Sequence, residues 1–362
     1  MRYLLFPCLL LAFGWTGCES ADEPAGPGPC ASSLDQETLF AAMAQNVIEP
    51  AYAELADRSE RLHETAAAFN DSPSATSLTV LRAAFVDTYL AWQAAAPYQF
   101  GPAEEQLLRS SFNNFPLDVP ALEAKLSATT YSFDNPAAYD TGLPALDYLL
   151  YQEREENSAL SYLTDTPGAQ AYLHAVTLDL AQRARLVSNA WRLGYRQTFV
   201  ANTGTAAGTS LSALINRLNA HYEGVKRDRL GLPAGVMTIG IANPDKVEAY
   251  YSGRSLELLD AALLASERFY TGADGPGLDD YLAGIDNADA VELDREIRQR
   301  YQTALSATKA LDGELSQLVT TEQATVTEAY AEVTRQLVNI KTDLPALTCV
   351  SITYIDNPSD SD

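Results

Sequence analysis

The sequence predicts an all-α protein built as two bundle-like helical halves. Three observations predict it. Apolar residues recur at three- and four-residue spacing from about residue 34 to about residue 344. The alternation of a half-buried strand is almost absent; residues 349–357, CVSITYIDN, are the exception and read as a short extended tail. Periodicity fails between residues 195 and 208, where the chain gains Gly, Thr and Ala, so the seam between the halves is expected there. The resulting division is an N-terminal lobe over 31–199, a C-terminal lobe over 200–349 and a tail over 350–362.

The elements follow in order. Residues 34–69 carry a helical pattern with Pro50 inside it, which should bend or break the helix. A second amphipathic helix is expected over 75–100. A third, over 167–195, opens on Pro167 in its first turn and stops near Gly194. In the fourth, over 209–233, Leu211, Leu214, Leu218, Tyr222 and Val225 form one stripe. Residues 255–270, 290–313 and 314–344 complete the set. Long helices joined by short loops pack as antiparallel bundles.

Bulk properties narrow the function. The chain has 362 residues, 47% hydrophobic and 20% charged, enough for a substantial core. Its formal net charge of -24 argues against nucleic acid, whose binders neutralise phosphates with basic side chains. Such a charge suits a cationic ligand, and it also simply keeps a protein soluble.

The N-terminus reads MRYLLFPCLLLAFGWTGCES. Arg2 precedes an apolar run too short to span a bilayer, which is the pattern of a secretory signal over residues 1–17. Its end, WTGC, resembles a bacterial lipoprotein signal, with Trp15 at the usually aliphatic position. Lipidation of Cys18 is expected, the alternative being a plain cleaved signal. Residues 18–30 then form a flexible tether. The protein is placed in the bacterial cell envelope, lipid-anchored in the periplasm or outer membrane. Cys8 leaves with the signal, so Cys30 and Cys349 remain in the body. In an oxidising compartment they are most simply a disulfide, the alternative being two buried thiols.

Several stretches place Gly/Pro backbone beside aromatics and charges, where sites tend to be built on a helical frame. They are W-x-x-x-x-P-Y-x-F-G-P from Trp92, FPLD from Phe115, GLPALDYLL from Gly142, L-G-L-P-x-G from Leu230 and Y-S-G-x-S-L from Tyr251. In this order they resemble the imelysin family, over about residues 35 to 345. That family comprises bacterial envelope proteins, many of them lipoproteins, linked to iron uptake and once classed as metallopeptidases. The resemblance implies two helical lobes with a cleft between them.

The family hallmark is G-x-H-x-x-E, whose His and Glu share a helix face and can grip one metal ion. Here Gly142 is kept, Pro144 stands at the His position and Asp147 at the Glu position. Proline has no ligand atom and suits a first helical turn. Two readings of Asp147 stay open. It caps its helix or joins a buried ion pair, with Lys226, Arg227 and Arg229 as partners, or it contacts a ligand. Among the histidines, His63 reads as exposed and His174 as a core or edge residue. His221 reads as a satisfied core histidine or, with Glu223 and Asp147, as a mixed oxygen and nitrogen site for iron or another divalent metal.

Other chemistries lack their motifs: H-E-x-x-H, G-x-S-x-G, a P-loop and G-x-G-x-x-G are all absent. The acidic stretch YTGADGPGLDDYLAG lacks EF-hand spacing and reads as a loop. The expected function is a non-catalytic binding component, which the resemblance associates with iron uptake. Trp92, Tyr98, Gly142, Pro144, Asp147, His221, Tyr222, Glu223 and Arg227 are its candidate site residues. The alternatives are a metallopeptidase of the imelysin type and a module that docks an envelope or outer-membrane iron-uptake partner.

Overall fold

The structure, a computed structural model, describes residues 30–128, 130–135, 137–152 and 159–353. The expected signal, Cys18 and the tether before Cys30 lie outside the described residues, as does the tail beyond residue 353.

Helix starts are written into the chain as short polar caps. Asp35 accepts the Thr38 backbone N–H at 2.9 Å and opens α1, Gln36–Met43. A single π turn, Ala44–Ile48, carries the chain on into α2, Glu49–Asp71. Helical dihedrals run through both junctions, so the break expected at Pro50 does not occur. Pro50 stands in the first turn of α2, and the widened turn ahead of it absorbs the ring and its missing donor. Ser74 and Ser77 form a reciprocal capping box at the start of α3, Ala75–Ala95.

Short helices fill residues 102–126, and α4 follows as Gly142–Tyr151. Next comes α5, Ala169–Ala190. It does not stop at Gly194. It bends there through a π turn, Trp191–Tyr195, and resumes as Arg196–Ala201, inside the expected seam. Thr209 caps α6, Ser210–Gly224, which runs on through a further π turn, Val225–Gly231. The remaining long helices are α7, Ser255–Thr271; α8, Ala288–Lys309; and α9, Gln323–Thr334. Part of the acidic loop after α7 is itself helical, over Leu278–Ala283.

The protein is all-helical, and among the described residues the only β pairing is an isolated bridge between Ser32 and Ile285. In the N-terminal half α2 packs along α5 and α3, with α4 laid against α3 and α5. In the C-terminal half α7 and α9 flank α8, and α6 packs on α7. Because α7 also packs on α3, the halves share one apolar core. Tyr98 meets Phe269 edge-on at 4.8 Å across that junction. No helix among the described residues is long and apolar enough to cross a membrane.

Cys30 and Cys349 form a disulfide across 319 residues, with their Cα atoms 5.8 Å apart. The described part of the C-terminal stretch, as far as Thr353, is pinned by Asn216, which bonds both Ser351 O and the Thr353 N–H. Closing so long a loop restricts the unfolded chain. Cys349→Ser is therefore expected to lower the unfolding free energy by about 2–5 kcal/mol in urea denaturation without reductant. An unchanged midpoint would show that the ends hold without the link.

Candidate functional site

The site begins at the start of α4. Gly142 has φ 74°, and a Cβ there would lie 2.5 Å from the carbonyl oxygens of Ser111 and Phe112. Only glycine lets α4 begin this close to the end of the short helix Leu108–Phe112. Pro144 occupies the first turn, where a backbone N–H has no intrahelical acceptor. Leucines and alanines bury the rest of α4, and Asp147 among them is only 1% exposed.

Asp147 does not cap its own helix. Its Oδ2 accepts the Tyr251 N–H at 2.8 Å and its Oδ1 accepts the Ser252 N–H at 3.1 Å. The carboxylate thus holds a loop of the other half. Burial pushes its pKa up to about 6; hydrogen bonds from Ser252 and Tyr251 oppose the rise, and the nearby Glu248 charge adds to it. The expected cationic partners are engaged elsewhere: Lys226 with Glu223 at 2.8 Å, Arg227 with Asp228 at 2.8 Å, and Arg229 with Glu248 at 2.6 Å.

The last of these pairs is the centre of a buried network that the sequence did not reveal. Arg229 Nη2 also donates to Gln93 Oε1 at 2.8 Å. Glu248 Oε1 accepts from Gln93 Nε2 at 2.9 Å and from Asn113 Nδ2 at 2.7 Å. Tyr89 donates to Asn113 Oδ1 at 2.8 Å. Gln93, Asn113 and Tyr89 belong to the N-terminal half, Arg229 and Glu248 to the C-terminal half. Glu248 is flanked in sequence by Val247 and Ala249, and nothing in that short loop signals a buried acid.

Two cavities adjoin this network. An open cleft of about 900 Å³ is walled by Phe115, Tyr139, Pro144, Tyr250 and Tyr251. Its acids, Asp118, Asp147, Asp228 and Asp245, face one lysine, Lys246. An inner pocket of about 50 Å³ shares Phe115 and Asp228 with it and is lined by Trp92, Arg109, His221 and Arg229. Trp92 stacks on Phe112 at 5.1 Å, and its buried Nε1–H has no hydrogen-bond partner among the described residues.

Of the expected residues, Pro144 and Asp147 reach the cleft, and Trp92 and His221 the inner pocket. Gly142 shapes the helix start, and Arg227 is held by its ion pair with Asp228. Tyr98 and Tyr222 belong to the core instead. Tyr98 packs between Tyr52 and Phe269, and Tyr222 donates to Val333 O at 2.9 Å.

The residues do not fit a metal held by Asp147, His221 and Glu223. Pro144 offers no ligand atom, and both Asp147 oxygens accept backbone amides. Glu223 is 2% exposed between Lys226 and Lys341. His221 donates Nε2–H to Ala262 O at 3.1 Å, and burial followed by the Arg229 charge pushes its pKa down to about 3. Among the described residues no group of three or more His, Cys, Asp or Glu could hold an ion.

Comparison with known proteins follows the same lines. The sequence matches the imelysin family, Peptidase M75, over residues 48–340. No curated protein matches it. An imelysin-like protein from Psychrobacter arcticum 273-4 superposes with a TM-score of 0.70 at 21% identity, covering 90% of this chain and 99% of that one. A candidate iron-regulated protein A precursor from Parabacteroides distasonis ATCC 8503 gives 0.69 at 17% identity, covering 87% and 98%. Likeness at this distance carries the fold and nothing finer.

Two predictions follow from the geometry. Glu248→Ala leaves Arg229 buried without its counter-charge, so unfolding free energy falls by about 3–5 kcal/mol. Arg229→Met with Glu248→Leu should cost clearly less than the two single changes summed; strict additivity in urea denaturation would refute the coupling. Asp147 holds its proton more tightly folded than unfolded. Its contribution is complete below pH 3.8 and is lost as pH rises through about 6. The stability difference between the protein and Asp147→Asn should therefore fall by about 2–3 kcal/mol between about pH 4 and about pH 8. A flat difference would mean that the buried carboxyl does not titrate there.

Proposed function

The chain belongs to the imelysin family, and on that premise we propose that it is a non-catalytic binding component of the bacterial envelope, tied to iron acquisition, whose cleft takes a chelated ion as cargo. The observation that carries this reading is the cleft. Its volume, about 900 Å³, suits an organic ligand and far exceeds a bare ion. Tyrosine and proline walls give apolar contact, and the excess of acids over Lys246 favours a neutral or cationic complex. The family, and a fold shared with the candidate iron-regulated protein A precursor, support the link to iron. Anchorage through a lipid on Cys18 rests on the sequence signal.

A metallopeptidase needs an ion to activate water. Pro144 supplies no ligand where the family hallmark has histidine, and Asp147 is committed to the Tyr251 and Ser252 amides. The docking alternative is favoured by a different feature. Ile239 is 96% exposed at φ 49°, beside exposed Met237 and Ile241, in a stretch from Leu230 to Pro244 without one charge. Such a tip would meet an envelope partner.

Titration with ferric chelates of differing charge, beside bare ferrous, ferric and zinc ions, tests the reading through intrinsic fluorescence. Chelates are expected to bind, and Asp147→Ala to weaken them at least about tenfold by releasing the Tyr250–Tyr251 wall. Ile239→Asp should leave that affinity unchanged. Stoichiometric binding of a bare ion lost in Asp147→Ala would instead restore a metal motif. Chelator-sensitive peptide cleavage by the pure protein would overturn the non-catalytic assignment. If no chelate binds, docking becomes the better reading.

A further inference from the structure

Two of the three histidines stand together, far from the cleft residues in sequence and use. His63 lies on α2 and His174 on α5, with ring centroids 4.8 Å apart and planes tilted by 54°. We propose that they form a two-imidazole site for a late first-row divalent ion, zinc, nickel or copper, with water completing its shell. Neither residue lines the cleft or the inner pocket.

The helices beneath the pair are fixed on both sides. On one side Asn70 Nδ2 donates to Gln170 O at 2.9 Å. On the other, Arg185 reaches Asp57 at 3.3 Å and also Glu60. These contacts set α2 and α5 antiparallel with His63 opposite His174. The site is therefore carried by rigid helices rather than by loops.

Hydrogen bonding supports one tautomer. Thr177 Oγ1 has Leu173 O at 2.8 Å and His174 O at 3.1 Å as acceptors for its one proton. With the proton directed to either, Thr177 Oγ1 accepts from His63 Nδ1–H, 3.0 Å away, and the lone pair of His63 lies on Nε2. A hydroxyl or carbonyl holding one ring N–H while the other nitrogen binds is the usual outer support of a metal-ligating histidine. His174 is exposed.

The spacing agrees with chelation. With a metal about 2 Å from each nitrogen, imidazoles sharing one ion at a right to tetrahedral angle place their centroids about 4.5–5 Å apart. Parallel stacking does not describe rings tilted this far. The net charge of -24 draws cations to the surface. Imidazole suits late first-row ions, copper most strongly, and two protein ligands bind less tightly than a closed centre.

Calorimetric titration of the purified protein with zinc, nickel and copper(II) salts in a non-chelating buffer tests the site, with thermal unfolding alongside. One equivalent is expected, with affinity at least about tenfold weaker in both His63→Ala and His174→Ala. Thr177→Val should weaken it severalfold while both imidazoles remain. Asp147→Ala should leave it unchanged, which separates this site from any ion in the cleft. Bound metal bridges α2 and α5 and should raise the melting temperature of the protein and of neither histidine variant. Loss in only one histidine variant, or equal binding in all of them, would overturn the proposal.

Discussion

The structure turns on one buried charge pair. Glu248 and Arg229 lie 2.6 Å apart with side chains 1% and 9% exposed. Taking two such charges out of water is costly, and their attraction repays it only when the remaining lone pairs and protons are met. Gln93 and Asn113 meet them, and both come from the opposite half. The network therefore requires one relative placement of the halves. An apolar interface of equal area would tolerate sliding; a network with every member satisfied does not.

The same requirement builds the cleft wall. The loop after Val247 is irregular, with Ala249 at φ 52° and Gly253 at φ 67°. It is held at Glu248 by side chains and at Tyr251 and Ser252 by Asp147. Between those points Tyr250 and Tyr251 meet edge-on at 5.1 Å, and Tyr251 meets Tyr148 of α4 at 5.0 Å. Two acids fix the backbone, and the aromatics they position face the open space. The altered hallmark is thus accounted for. Asp147 keeps the acid of the family pattern but uses it within the molecule, and Pro144 in the first turn costs that arrangement nothing.

Much of the fold was legible because helical periodicity is a local signal. The starts expected at residues 34, 75 and 209 lie close to the helices that open at Gln36, Ala75 and Ser210. Where the reading missed, a neighbouring turn had changed the local rule. Pro50 breaks an ordinary helix, but a π turn precedes it; Gly194 bends the chain without ending it. The site was legible only in part. GLPALD drew attention to Asp147, yet its partners are backbone amides about a hundred residues away, which no side-chain pattern can announce. Tyr222 stands beside His221 on α6 but faces the core, since adjacent positions on a helix point to different sides; Tyr98 lies past the end of α3 and packs inward between Tyr52 and Phe269. Glu248 gave no sign at all.

Asp147 also limits what the cleft can bind. A ligand coordinated by this carboxylate would have to displace the Tyr251 and Ser252 amides. Each amide left buried without an acceptor costs about 1–3 kcal/mol, and the tyrosine wall would lose its anchor. Direct coordination is therefore opposed by the element that forms the pocket. A ligand that touches the tyrosines and the outer acids, Asp118 and Asp245, meets no such opposition, because it leaves both hydrogen bonds in place. The geometry thus opposes direct coordination by Asp147, and in this chain the hallmark acid serves as support for the tyrosine wall of the cleft.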